Sequence, residues 1–258
     1  MSAVLRDVAF SSRSGFRPLS LDLVVPDATG PVPVVVCFHG GGWRVGSRKM
    51  FVPGFEESAG RGRIVDAGFA VASIDYRLTG EAIFPAQLDD VRAALDWVRA
   101  HGAEHGIDAT RIIVWGESAG GHLAALAGLD RQQGVRGAVC WYAPTDLLAF
   151  PKPGPDDERP TREESLVGGP IDEHVELATA ASPARQAHAD APPFHIAHGA
   201  DDEWVPPAQS ELLADALRAA GAEVELTIVP GATHMWKGLD SLDTVLDPAL
   251  DFARRVTG

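Results

Sequence analysis

The sequence predicts an α/β domain: a mostly parallel sheet with helices on both faces. Three observations carry that expectation. Apolar runs alternate with segments of helical periodicity along the chain. Most of those runs are continuous rather than alternating, as in strands covered on both sides. A length of 258 residues without internal repeats suits one domain of the larger α/β kind better than two average ones.

Residues 19–25 read as an antiparallel strand near the start, and 32–38, 69–74, 111–115, 135–141, 194–197 and 224–229 as the further strands. Leu88, Val91, Leu95 and Val98 recur at helical spacing after Pro85, with Gly102 as the stop signal. A second helix covers 210–220, with Leu212, Leu213 and Leu217 on one side and Gly221 past its end. Asp247-Pro248 reads as the cap and first position of a last helix through Leu250 and Ala253. Residues 150–165 are Pro-rich, charged and nearly without apolar side chains, and read as a surface excursion within residues 1–258 taken as one domain. The stretches 45–62 and 150–173 are the candidate lids.

Composition narrows the function. Hydrophobic residues at 45% and charged residues at 22% are ordinary for a globular protein. A formal charge of −14 argues against nucleic acid as partner, and no Lys/Arg cluster is present to attract anionic lipid. Residues 1–16 mix Arg6, Asp7, Arg13 and several Ser with no apolar run, so neither a secretory signal nor a membrane span is expected and the default location is cytoplasmic. Cys37 and Cys140 lie inside apolar runs and read as buried thiols; no zinc-type spacing appears, and no metal is expected.

The chemistry is concentrated in four places. Gly116-Glu117-Ser118-Ala119-Gly120 is weak as a bare Gly-x-Ser-x-Gly pattern, but it falls between the strand 111–115 and a helix opening at Gly121-His122. A sharp strand-to-helix turn projects a hydroxyl beyond the sheet edge and aims helix amides at a developing oxyanion, which makes Ser118 the candidate nucleophile. The competing reading is a Gly-rich helix start with a capping Ser. Upstream, His39-Gly40-Gly41-Gly42-Trp43 follows a strand and lets backbone approach a ligand closely. A phosphate loop is excluded there because the Lys-Ser/Thr and the dinucleotide Gly spacing are missing. The amides of Gly41, Gly42 and Ala119 are the candidate oxyanion donors, and His39 is read as a brace for the loop.

Nine histidines compete for the base. His122 points into the fold one turn after Ser118, and His195 and His198 belong to a strand. His234 lies in the loop after the last strand, where a parallel sheet delivers residues to its carboxyl-end crevice. The orienting acid is expected in the loop after the preceding strand, at Asp202, favoured over the adjacent Asp201 and Glu203 by its spacing to Trp204-Val205-Pro206. Trp43, Trp204 and Trp236 each neighbour one of these elements, as walls of an aromatic-lined pocket or as packing anchors.

With Asp75-Tyr76-Arg77-Leu78 added, these ordered motifs resemble the α/β-hydrolase esterases, and among them the hormone-sensitive-lipase-like and bacterial feruloyl-esterase-like carboxylesterases. The resemblance runs from about residue 16 to the C-terminus. It implies an eight-stranded sheet, no cofactor, and an acyl-serine intermediate. The His39 motif begins too early to leave room for the N-terminal cap of the lipase-like group, and Glu117 stands where that group commonly has Asp. The family strand order puts one strand between those of Cys37 and Cys140, roughly 10 Å apart, beyond the ~7 Å a disulfide tolerates. The expected function is hydrolysis of small to medium, short-acyl esters by a monomer or homodimer. The alternatives are an arylformamidase-like amide hydrolase and a non-catalytic ligand receptor on the same fold.

Overall fold

The apolar runs become strands because both of their faces are covered. The structure, a computed structural model, describes residues 3–151 and 159–258. Its strands are β1 (Ala3–Ser11), β2 (Leu19–Val25), β3 (Val32–Phe38), β4 (Ala70–Ile74), β5 (Ile107–Glu117), β6 (Gly137–Trp141), β7 (Phe194–Gly199) and β8 (Val224–Val229). They form one eight-stranded sheet in the order β1-β2-β4-β3-β5-β6-β7-β8. β2 is antiparallel to β1 and β4, and β3 to β8 run parallel.

Alternate residues of each central strand serve opposite cores. Val34, Val36 and Phe38 join Leu88, Val91 and Leu95 of α2 (Ala86–His101), Leu123 of α3 (Ala119–Leu129) and Leu213 and Leu217 of α6 (Ala208–Ala220). Val35 and Cys37 join Ile64 of α1 (Arg61–Asp66) and Leu246, Leu250 and Phe252 of α7 (Asp243–Thr257). α3 is buried over its whole length, so it presents no polar stripe and its 11 residues are all core. Cys37 and Cys140 are free and buried, on β3 and β6 with β5 between them, and they serve opposite cores. Among the described residues no helix is long and apolar enough to cross a membrane.

Two elements differ from the sequence expectation. β1 carries no apolar run because it is an outer hairpin strand with mostly exposed residues, broken by a bulge where Asp7 takes φ 58°. The last helix starts at Asp243 rather than at the Asp247 cap, with Pro248 inside it. Burial of Leu242, Val245 and Leu246 anchors the extra turn, and Arg63 pairs with both Asp243 and Asp247. Within the excursion at 150–173, residues 152–158 lie outside the described residues. Beyond them Thr161 and Glu164 form a reciprocal capping box that opens α4 (Arg162–Val167), and Leu166 and Val167 are fully buried. α5 (Val175–Ala180) follows. The 45–62 segment likewise sends Phe51 and Val52 into the core before α1 begins.

The Asp75-Tyr76-Arg77 stretch after β4 braces this end of the sheet. Asp75 accepts from the Arg48 amide and guanidinium, and the Tyr76 hydroxyl donates to the His39 carbonyl at 2.8 Å. Arg77 clasps Asp90 of α2 with two bonds of 2.7 and 2.8 Å, both side chains buried. Removing one partner strands the other charge away from water. Asp90→Ala is therefore expected to cost about 3 kcal/mol in chemical denaturation; a loss under about 1 kcal/mol, the range of solvent-exposed ion pairs, would contradict that.

Candidate active site

β5 passes into α3 through Ser118, which takes φ 52° and ψ −120°, a region an L-residue adopts only under constraint. The turn closes because its glycines have no Cβ. One added at Gly116 would sit 2.1 Å from the Gly120 carbonyl oxygen, and one at Gly120 would sit 2.0 Å from that of Phe38. The Ser118 amide donates to the Trp141 carbonyl at 2.9 Å, tying the turn to the neighbouring strand. The result is a hydroxyl held at the carboxyl edge of the sheet.

Two loops reach the same edge. His234 follows β8, and its Nε2 lies 3.0 Å from Ser118 Oγ, while its Nδ1 lies 2.7 Å from Asp202 Oδ2. An ionised carboxylate only accepts, so Nδ1 carries the proton and Nε2 is left to accept from the serine. Asp202 is buried, whereas Asp201 and Glu203 are exposed. Its Oδ1 accepts from the Trp204 and Val205 amides at 2.9 and 3.0 Å. His198 Nε2, which donates to the Val205 carbonyl at 2.9 Å, also stands 3.3 Å from Asp202 Oδ2. Burial alone would raise the Asp202 pKa, but the bonds from His198, His234 and the Val205 amide outweigh it and hold the group well below the usual carboxylate range.

The glycine loop after β3 lies beside the turn, since Phe38 is paired with Gly116 across β3 and β5. Gly41 and Gly42 take φ 109° and 59°, a path open to glycine. Ala119 takes the first position of α3, directly after Ser118. His39 stacks on Tyr76 at 4.3 Å and donates from Nδ1 to the Gly40 carbonyl at 2.7 Å. Burial lowers its pKa to about 4, which suits a neutral brace. His122 is fully buried, its Nε2 donating to the Ala181 carbonyl and its Nδ1 accepting from the Trp43 indole.

The three tryptophans separate. Trp43 is 1% exposed, edge-on to His122, and Trp236 is 0% exposed among Trp141 and Tyr142. Both are core, because the positive-φ backbone at each turns the indole inward. Trp204, 51% exposed, lies with its ring 5.2 Å from that of His234 and walls a cleft of about 270 Å³ with Thr233 and Lys237. Among the described residues no cluster of His, Cys, Asp or Glu is arranged to hold a metal ion.

The BD-FAE family model matches residues 21–217. The chain belongs to the BD-FAE family. Esterase LipQ of Mycobacterium tuberculosis is 33% identical over 216 residues, 78% of this chain and 50% of LipQ. The chain thus spans about half the length of that curated relative. Among solved structures, a truncated carbohydrate esterase from gut microbiota superposes with a TM-score of 0.88 at 27% identity, over 99% of this chain and 96% of the other. The butyrate-bound esterase Est2 of Thermogutta terrifontis superposes with a TM-score of 0.74 at 25% identity, over 98% and 92%. The fold is accordingly the α/β-hydrolase fold, as the sequence motifs imply.

One residue of this BD-FAE chain has a place that its sequence did not disclose. Glu117, next to Ser118, is buried, and its Oε1 accepts the Gly40 amide at 2.7 Å. Its carboxyl occupies the space that a Gly40 side chain would fill. Glu117 therefore joins the serine turn to the glycine loop, and the only hint in the sequence is an acid ending an apolar strand. Burial raises its pKa to about 7, opposed by the Gly40 amide and the nearby Tyr142 hydroxyl, which makes no hydrogen bond of regular geometry. A raised pKa means that the folded state binds the proton more tightly than the unfolded one, so stability is lost as pH rises from about 4.5 to about 7. Glu117→Gln keeps the acceptor and removes the titration. The melting temperature of the variant minus that of wild type should climb across that window; a constant difference would contradict the assignment.

Proposed function

We propose that the protein is a serine carboxylic ester hydrolase acting on small to medium, short-acyl esters through an acyl-serine intermediate. The observation that carries this reading is the unbroken relay from Asp202 through His234 to Ser118, at 2.7 and 3.0 Å. In the first half-reaction Ser118 Oγ attacks the ester carbonyl while His234 Nε2 takes its proton. Asp202 holds the imidazole by Nδ1 and stabilises the imidazolium that forms. The negative charge moves to the carbonyl oxygen, for which the amides of Ala119, Gly41 and Gly42 are the proposed donors. Collapse expels the alcohol, protonated by His234. Water then adds to the acyl-serine with His234 again as base, releasing the acid and restoring the serine hydroxyl.

The esterase relatives support ester chemistry, and the presence of His234 speaks against a receptor that has lost its base. Short acyl groups fit a site in which Trp204 is the exposed indole of the three, with Trp43 and Trp236 withdrawn into the core. The butyrate bound to Est2 of Thermogutta terrifontis is of that size. With nitrophenyl esters from acetyl to palmitoyl, kcat/KM should peak at four carbons or fewer and fall for longer chains. Ser118→Ala should lose at least about 10³-fold on each. Rates that rise steadily to palmitoyl would overturn the chain-length preference, and near-full activity of Ser118→Ala would overturn the mechanism.

A further inference from the structure

Two cations stand against one exposed indole beside the candidate site. Net charge is −14, yet Arg162 Cζ lies 5.3 Å and Lys237 Nζ 5.7 Å from the centroid of the Trp204 ring. The same indole is 5.2 Å from the His234 ring. Arg162 also touches the glycine loop. Its Cδ stands 2.6 Å from where a Gly42 Cβ would be, so the side chain runs along the backbone of a candidate oxyanion donor. Neither cation forms an ion pair among the described residues.

Arg162 is held there rather than left to wander. Arg44 donates to the carbonyls of Pro160 and Thr161 and to Ser165 Oγ at 2.6 to 2.7 Å, fixing the segment from which Arg162 extends. A guanidinium within cation–π range of an indole can still donate its N–H groups to another partner. Among the described residues, the acids nearby do not take that role. Glu163 is buried, and burial raises its pKa. Asp201 and Glu203 are exposed on the rim of the Trp204 cleft and make no ion pair with either cation. A guanidinium that makes no ion pair among the described residues, held beside a candidate reacting centre, matches a planar anion best.

We infer that Arg162, Trp204 and Lys237 form an anion subsite beside Ser118, so that the ester taken by this protein carries a carboxylate close to its scissile bond. The inference rests on the ester-hydrolase reading for its kinetic arm only. Two isosteric pairs test it by pH-stat: monomethyl succinate against methyl 4-methylpentanoate, and acetoxyacetate against isobutyl acetate. In at least one pair the anionic ester should be preferred. Arg162→Gln should then lower kcat/KM on the anionic member about tenfold more than on its neutral partner, a differential of ~1.4 kcal/mol. Most of that loss should lie in KM, and Arg162→Lys should restore part of it. Calorimetric titration of Ser118→Ala with the same four esters needs no turnover, and should show tighter binding of an anionic member that Arg162→Gln removes. Binding without hydrolysis would count against the esterase reading and for the subsite. Equal handling of both members in both pairs, or equal losses in Arg162→Gln, would overturn the subsite.

Discussion

Strand β5 turns into helix α3 with no room for a side chain at Gly116 or Gly120, and the candidate site depends on that close approach. Gly120 packs against the Phe38 carbonyl and Gly116 against Gly120, so the turn cannot relax without separating β5 from β3. The positive φ of Ser118 is the strain that this packing sustains. Because α3 is core throughout, the helix cannot shift to relieve it. Three further features inherit their positions from the same contact. The glycine loop leaves β3 one residue beyond Phe38, Ala119 opens α3, and Glu117 reaches back to Gly40.

Two carboxyl groups near Ser118 have their pKa values moved in opposite directions by their surroundings. Asp202 is buried among donors, and two backbone amides and two imidazoles hold it ionised. Glu117 is buried with one amide and no cation, and its pKa moves upward. Burial is the same in kind for both; the number of donors decides the outcome. The division suits a site in which one acid must hold a charge against an imidazolium while the other spans two loops beneath a developing oxyanion, where a second negative charge would be unfavourable.

Much of this was legible in the sequence because it rests on local rules. Continuous apolar runs located β2 to β8 to within a few residues, and the chain order of Ser118, Asp202 and His234 along successive strand ends brought them to one edge. What escaped depends on tertiary context. β1 is an outer strand whose exposed residues leave no apolar signature. The start of α7 was hidden because burial of Val245 and Leu246 extends the helix ahead of the start expected at Asp247-Pro248. Trp43 and Trp236 neighbour the site in sequence, but the backbone turns them into the core, so adjacency along the chain was a poor guide to which indole faces a ligand. Arg162 is remote in sequence from every motif and reaches Gly42 only because α4 folds back over the glycine loop.

If strain and hydrogen bonding make Ser118 a nucleophile, a fluorophosphonate should capture it covalently, with the adduct mapped by peptide mass spectrometry. One phosphonylated residue, Ser118, is expected, modified rapidly in wild type and at least about 10²-fold more slowly in His234→Ala, where the proposed base is gone. An adduct on another residue, or labelling of Ser118 at the same rate without His234, would contradict it.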